Sequence, residues 1–271
     1  MARRVVVGWD RSAAAAAALD WAVRHTPTAG GVELVEVTGR GRAPEGAPLD
    51  AEEAAARIRQ ARPGLEVGVT HERGDVAEVL AGRSAPDALV ALGGRSNEGA
   101  RHLRRTSAAY RVVLEATGPV VVVPRAYTGG RTVVVGVEGP SDPPCVVLAA
   151  AAEADRRHQQ LVAVHVPRPA LGIPYGALPG DHERRDALQA RQHVLEEVLA
   201  PVRGAYPELS VVPRVTSGRA SDVLLAAARG AMLLVLGRNP DRPADRRPVT
   251  HSSMLLSAAP VLVVPPGTEL A

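Results

Sequence analysis

One arrangement of residues occurs twice in this chain. Asp87-Ala-Leu-Val-Ala-Leu-Gly93 is an apolar run that ends on glycine, and a polar stretch continues from Gly94 to Arg105. Thr106 to Ala116 then carries helix-forming residues, and Pro119-Val-Val-Val-Val-Pro124 is a second apolar run. Ala231-Met-Leu-Leu-Val-Leu-Gly237, a stretch rich in Arg and Pro, Thr250 to Ser257 and Pro260-Val-Leu-Val-Val-Pro265 repeat that order. Short apolar runs without alternation are what strands buried on both faces look like, which is the condition of a parallel sheet covered by helices. A strand that ends on glycine and hands over to a helix is where such a sheet places a ligand. Each copy therefore predicts the closing part of an open α/β sheet with a crevice at its glycine.

The residues before each copy supply the rest of the unit. Arg4-Val-Val-Val-Gly8-Trp-Asp10 reads as a first strand, Ser12 as the N-cap of an alanine-rich helix, Val32 to Val37 as a second strand, Leu49 to Ala61 as a helix and Leu65 to Thr70 as a third strand. Asp75 caps a helix through Leu80. Tyr127 to Gly130 reads as a short flexible linker, after which Arg131-Thr-Val-Val-Val-Gly136-Val-Glu138 restarts the series 128 positions after its counterpart. Asp142, ahead of two prolines, is the predicted cap of the next helix. Leu161 to Val166, a longer helix ending near Arg203, Ser210 to Val215 and a helix from Gly218 to Arg229 complete the second half. Strands alternating with helices indicate βαβ units, so we expect an α/β protein of two domains, 1–126 and 131–267, each an open five-stranded parallel sheet with helices on both faces.

A chain of 271 residues is long enough for two cores of ordinary size. All 32 basic residues are arginine, and the formal net charge is only +3. The densest basic patch is Arg95, Arg101, Arg104, Arg105 and Arg111; it has no aromatic residues to stack on bases, which argues against nucleic acid. The single cysteine, Cys145, rules out an intrachain disulfide and fits a reducing cytoplasm. The apolar run before Gly8 and Asp10 is too short for a signal peptide, and no stretch approaches the roughly 20 apolar residues of a membrane span.

Taken together, Val-Val-Val-Gly8-Trp-Asp10 and Val-Val-Val-Gly136-Val-Glu138, Val-His165-Val166, the two Pro-Val strands and the run from Val249 to Val261 resemble a tandem universal stress protein. The resemblance covers nearly the whole chain and implies the adenine nucleotide alpha hydrolase-like fold. In many members it also implies an ATP site. There a loop of the pattern Gly, two residues, Gly, nine residues, Gly, then Ser or Thr wraps the phosphates, because glycine lets backbone amides approach the phosphate oxygens and the next helix points its positive end at them. The first half keeps the spacing as Gly93, Ser96, Thr106 and Ser107, with two of the three glycines replaced. The resemblance places Gly8 and Asp10 at the adenosine end, with Val37 against adenine and Leu92 beside Gly93. In the second half the counterparts are Gly136, Glu138, Val166 and Gly237, but Pro240 stands at the second glycine and Arg247 and Pro248 at the final Gly and Ser. Proline has no amide hydrogen to offer a phosphate, so nucleotide binding is expected in the first half only. Asp10 has a second reading as a capping carboxylate.

No catalytic set is recognisable. The chain has no Gly-x-Ser-x-Gly elbow, no lysine for a Walker loop and no Cys/His spacing for zinc. His71-Glu72 and Asp181-His182-Glu183 are metal ligands only by composition, and the one metal expected is Mg accompanying nucleotide. Two functions follow: a non-catalytic, cytoplasmic stress-response protein binding ATP or another adenine nucleotide in its first half, or a nucleotide-free scaffold acting through a protein partner. Val120 to Val123 and Val261 to Val264 are too apolar to be left as open edges. The resemblance implies that they pair, making the halves an intramolecular pseudo-dimer to which a homodimer could be added.

Overall fold

The computed structural model describes residues 4–38, 50–94, 107–167, 181–238 and 248–268. The first half runs β1 (Arg4–Gly8), α1 (Ala13–His25), β2 (Gly31–Thr38), α2 (Ala51–Ala61), β3 (Glu66–Arg73), α3 (Val76–Gly82), β4 (Ala88–Gly94), α4 (Ala108–Glu115) and β5 (Val120–Pro124). The second runs β6 (Thr132–Val137), α5 (Pro144–Arg156), β7 (Gln160–His165), α6 (Asp181–Ala205), β8 (Val211–Val215), α7 (Ala220–Ala227), β9 (Leu233–Gly237), α8 (Pro248–Leu256) and β10 (Val261–Val264).

Each half has the expected five parallel strands, but they are not two separate sheets. One ten-stranded sheet runs in the order β3-β2-β1-β4-β5-β10-β9-β6-β7-β8. Every neighbouring pair is parallel except β5 with β10, which pair antiparallel with Val122 opposite Val261, Val121 opposite Leu262 and Val120 opposite Val263. The register is symmetric about the Val121–Leu262 pair. The cause is the apolar character of both strands: buried on both faces, neither can end a sheet, so each becomes the other's neighbour. The true edges fall on strands that tolerate water, β3 with its charged Glu66-to-Arg73 run and β8 with Pro213.

The sheet separates two cores, each continuous across both halves. Val5, Val7, Val121, Val133, Val135 and Leu262 face α1, α2, α5 and α6. Val6, Val90, Val120, Val134, Leu234 and Val263 face α3, α4, α7 and α8. The alternation along β1, β5 and β6 is the period of two that a strand imposes.

Helix starts explain local differences between the halves. Ser12, Asp50, Asp75 and Ser107 each accept an amide of the first turn of α1, α2, α3 and α4. The expected cap at Asp142 is not made: Pro143 occupies the N-cap of α5 without a side-chain bond, and Asp142 Oδ2 accepts from the amides of Glu138 and Gly139. Pro143 and Pro144 offer no N–H, so the first turn presents fewer donors to a capping carboxylate. Tyr127 to Gly130 is not a free linker either. The Tyr127 hydroxyl donates to the Met232 carbonyl at 3.0 Å, and a Cβ at Gly130 would lie 2.1 Å from the Ala231 carbonyl carbon.

Candidate functional site

In the first half the chain reverses direction across the sheet between β1 and β4, and that is where an open parallel sheet has its crevice. A cavity of about 130 Å³ opens there. Gly8, Trp9, Asp10 and Ser12 form its floor, Val35 and Val37 come from β2, Leu92 and Gly93 from β4, Val76 and Leu80 from α3, and Ala108, Ala109 and Val112 from α4. Of the residues singled out from the sequence, the fold thus brings together Gly8, Asp10, Val37, Leu92 and Gly93. Ser107 stands beside them as the N-cap of α4, its Oγ accepting from the Tyr110 amide at 3.3 Å. Ser96 and Thr106 lie outside the described residues.

Glycine at position 8 fits close packing, because a Cβ would lie 2.9 Å from both Leu80 Cδ1 and Leu92 Cδ2 and those side chains would have to shift. Gly93 is more constrained. A Cβ there would lie 2.4 Å from the Ala14 carbonyl carbon and 2.7 Å from the Ala15 nitrogen, so the backbone of α1 rests directly on β4. The loop between β1 and α1 is held from below. Asp10 Oδ1 accepts the Ser12 amide at 3.0 Å, and Ser12 Oγ accepts the Ala15 amide at 3.1 Å. Ser12, not Asp10, therefore caps the helix, and the exposed Asp10 carboxylate fixes the loop. Arg11 adopts a left-handed φ of 62° and donates from Nε to Glu36 Oε1 at 2.6 Å. Glu36 also receives His71 Nδ1 at 3.1 Å, so His71 is part of this anchor.

The two helical walls are braced to each other. Arg111 Nη1 on α4 donates to Asp75 Oδ2 at 2.8 Å, while Asp75 Oδ1 caps α3 through the amides of Ala77 and Glu78. The Arg111 hydrogen bond and these amides hold the Asp75 carboxyl below its usual range. The cavity so framed has apolar sides, an acidic group and a hydroxyl at its floor, and the first turn of α4 at its rim. Amides of a helical first turn lack intrahelical partners and favour anions. Such a site suits a flat apolar ring carrying a polar and anionic extension.

The second half is built differently at the same places. Gly136 repeats Gly8, with Leu236 and Leu224 where Leu92 and Leu80 stand. The connection from Gly136 to α5 is longer than that from Gly8 to α1, and at Gly237 a Cβ would meet only the Val146 side chain, at 3.1 Å. A valine side chain fills the space that helix backbone occupies in the first half. Glu138 is exposed and its amide is taken by Asp142; Val166, half-buried, packs against the same core as Leu224. His165 is buried, with Nδ1 donating to the Val137 carbonyl at 3.0 Å. His182 pairs with Asp186 at 2.7 Å along α6, and the side chains of Asp181 and Glu183 lie outside the described residues. Among the described residues no group of three or more His, Cys, Asp or Glu could hold a metal ion, and no helix is long and apolar enough to cross a membrane.

Several cavity residues escaped the sequence reading. Val76, Leu80 and Val112 look like ordinary core positions of amphipathic helices, and only the sheet order turns them toward the β1–β4 crevice. Glu36 and Arg11 carry no local signal at all, since their pairing depends on the β1–β2 register.

Fold and site define an α/β protein of two similar halves that share one ten-stranded, mostly parallel sheet, with a crevice at the β1–β4 switch point of the first half. The family described as "Universal stress protein family" matches residues 130–265, half of the chain, and this chain belongs to that family. A universal stress protein of Mycolicibacterium smegmatis is 27% identical over 256 residues, covering 86% of each chain. Among solved structures, a universal stress protein from Archaeoglobus fulgidus superposes with a TM-score of 0.68 at 17% identity, covering 98% of this chain and all 100% of that one. The cytoplasmic domain of a prokaryotic cation chloride cotransporter has the same fold, with a TM-score of 0.56 at 12% identity, covering 98% of this chain and 96% of that domain.

Proposed function

We propose that this universal stress protein binds ATP or another adenine nucleotide, with any accompanying Mg, in the first-half cavity, and that it acts without catalysis as a cytoplasmic stress-response protein. The observation that carries the reading is the meeting of Gly8, Asp10, Val37, Leu92 and Gly93 around one crevice closed by the first turn of α4. Val37 and Leu92 supply apolar faces for adenine, Asp10 lies within the same floor to accept from ribose hydroxyls, and the α4 amides face the phosphates. Gly93, Ser96, Thr106 and Ser107 would form the phosphate loop. Domains 1–126 and 131–267 pack as an intramolecular pseudo-dimer about the β5–β10 pair, leaving homodimer formation to other surfaces.

The second half serves in this reading as a scaffold. Asp142 already accepts the amides of Glu138 and Gly139, and Val146 stands against Gly237. ATP at millimolar concentration should raise the melting temperature of the full chain, and Ala108→Trp, which fills the cavity mouth from an exposed position, should abolish the rise. A wild-type protein indifferent to ATP would leave the scaffold, acting through a protein partner, as the function of both halves.

A further inference from the structure

The wall of the first-half cavity is held by residues of the second half. Arg238 directly follows Gly237 at the end of β9, and its Nη1 donates to the carbonyl oxygens of Val113 at 3.0 Å and Leu114 at 2.7 Å. These carbonyls belong to the last turn of α4, where the helix has no amides of its own to offer them. A guanidinium there also meets the negative end of the helix dipole. His251, in the first turn of α8, packs edge-on against Tyr110 of α4, with ring centroids 4.7 Å apart and planes at 73°. Tyr110 and His251 occupy matching positions, each nine residues before the proline that opens its final strand, so this contact lies near the symmetry centre of the sheet. Arg238, by contrast, has no counterpart: the residue after Gly93 is Gly94, which has no side chain to reach across to α8.

We propose that Arg238, assisted by His251, is a positioning clamp through which the second half fixes α4 and so sets the shape of the first-half cavity. Ala108 and Ala109 line that cavity from the opposite end of the same two-turn helix, and Val112 lines it next to the gripped carbonyls. A short helix gripped at its C-terminus transmits a displacement to its N-terminus as a rigid piece. The grip is one-sided, so control runs from the β9–α8 region of the second half to the ligand site of the first. It gives the second half a use for the position after its glycine that does not depend on binding nucleotide there.

The link to ATP rests on the function proposed above, so the test has two arms on the full-length chain. Hydrogen exchange without ligand should show α4 amides, including those of Tyr110 to Val112, exchanging about 10-fold faster in Arg238→Met, which keeps an apolar stem but loses its charge-assisted hydrogen bonds. Arg238→Lys, whose ammonium can still donate to both carbonyls, should restore most of the protection. In the second arm ATP affinity should fall about 10-fold in Arg238→Met, and by reciprocity ATP should slow exchange in α8 of the wild type but not of that variant. A merely structural arginine would not move this last readout. Unchanged α4 exchange, loosening confined to the last turn, or loosened α4 with unaltered ATP affinity would each overturn the clamp. If the wild type binds no ATP the nucleotide reading fails, and exchange at Tyr110 to Val112 alone decides for or against the clamp.

Discussion

Gly93 and Gly237 end equivalent strands, yet they face different neighbours. At Gly93 the missing side chain makes room for the backbone of α1 at Ala14 and Ala15; at Gly237 the same gap is filled by the flexible end of Val146. The difference traces to the connections between first strand and first helix. Gly8 is followed by a short Trp-Asp-Arg-Ser turn into α1, whereas Gly136 leads through Val-Glu-Gly-Pro-Ser-Asp-Pro before α5 begins. A tight turn draws the helix onto the sheet and leaves Asp10 and Ser12 in the floor of the crevice. The longer one contains prolines without amides and an aspartate that takes up the amides beside it. Two copies of one fold thus differ in how their strand ends are packed through a turn, without any change of strand order.

The comparison can be broken most sharply by adding a methyl group at each glycine. Gly93→Ala forces α1 backbone off β4 and should cost about 3 kcal/mol in urea unfolding, the upper range of overpacking. Gly237→Ala needs only a small shift of Val146 and should cost less than about 1 kcal/mol. Equal costs would mean that the two strand ends are not differently packed.

A smaller effect distinguishes the helices themselves. His25 ends α1, buried, with Nδ1 donating to the Trp21 carbonyl at 2.7 Å and its ring stacked 4.0 Å from that of Trp21. At the matching end of α5 stands the half-exposed Arg156. Burial, reinforced by Arg157, Arg24 and Arg156, pushes the His25 pKa down to about 3 from 6.5. A group whose native pKa is lowered in this way is neutral in the fold and takes up its proton on unfolding. Its stabilising contribution is therefore complete above pH 6.5 and is lost as the pH falls toward 3, at up to about 1.4 kcal/mol per pH unit. The stability–pH curve of His25→Gln should be flatter across that window, and a curve parallel to wild type would show that His25 does not titrate there.

The smallest expected effect concerns the brace between cavity walls. Asp75 caps α3 and pairs with Arg111, while the equivalent position before α7 is Arg219, which makes no side-chain cap. Asp75→Asn keeps a capping oxygen but loses the charge, and at pH 5 it should lower the melting temperature by a few degrees. Because the Asp75 carboxyl is held below its ordinary value of 3.8, its contribution is present above that pH and lost below it as the carboxyl protonates. The gap between variant and wild type should close toward pH 3, and a gap independent of pH would assign the loss to capping geometry alone.

Much of this architecture was legible in the sequence because it is written locally. Valine runs bounded by glycine and proline marked β1, β4, β5, β6, β9 and β10, and Ser12 and Asp75 marked helix starts that the structure repeats. The crevice was legible to the extent that it is made of strand ends: the glycine closing β4 marked it in the repeat, and the family resemblance added Gly8, Val37 and Leu92. Long-range side-chain pairings left no such trace. The Arg11–Glu36–His71 anchor and the reach of Arg238 to α4 join residues tens of positions apart or more, whereas the pairing of β5 with β10 was expected from the apolar character of both strands and the family resemblance. Asp142 misled because its spacing to α5 suits a cap while its carboxylate turns back to the amides of Glu138 and Gly139. Gly93 itself carried two meanings, phosphate approach and helix approach, and only the three-dimensional contact with Ala14 displays the second.

In the proposed function one half of the molecule holds a nucleotide that the other does not. Native mass spectrometry of the full chain with ATP counts this directly. It should show one nucleotide per chain, absent in Ala108→Trp and retained when the matching position of α8 is filled by Val249→Trp. Two nucleotides per chain, none, or a single one lost in Val249→Trp and kept in Ala108→Trp would contradict it.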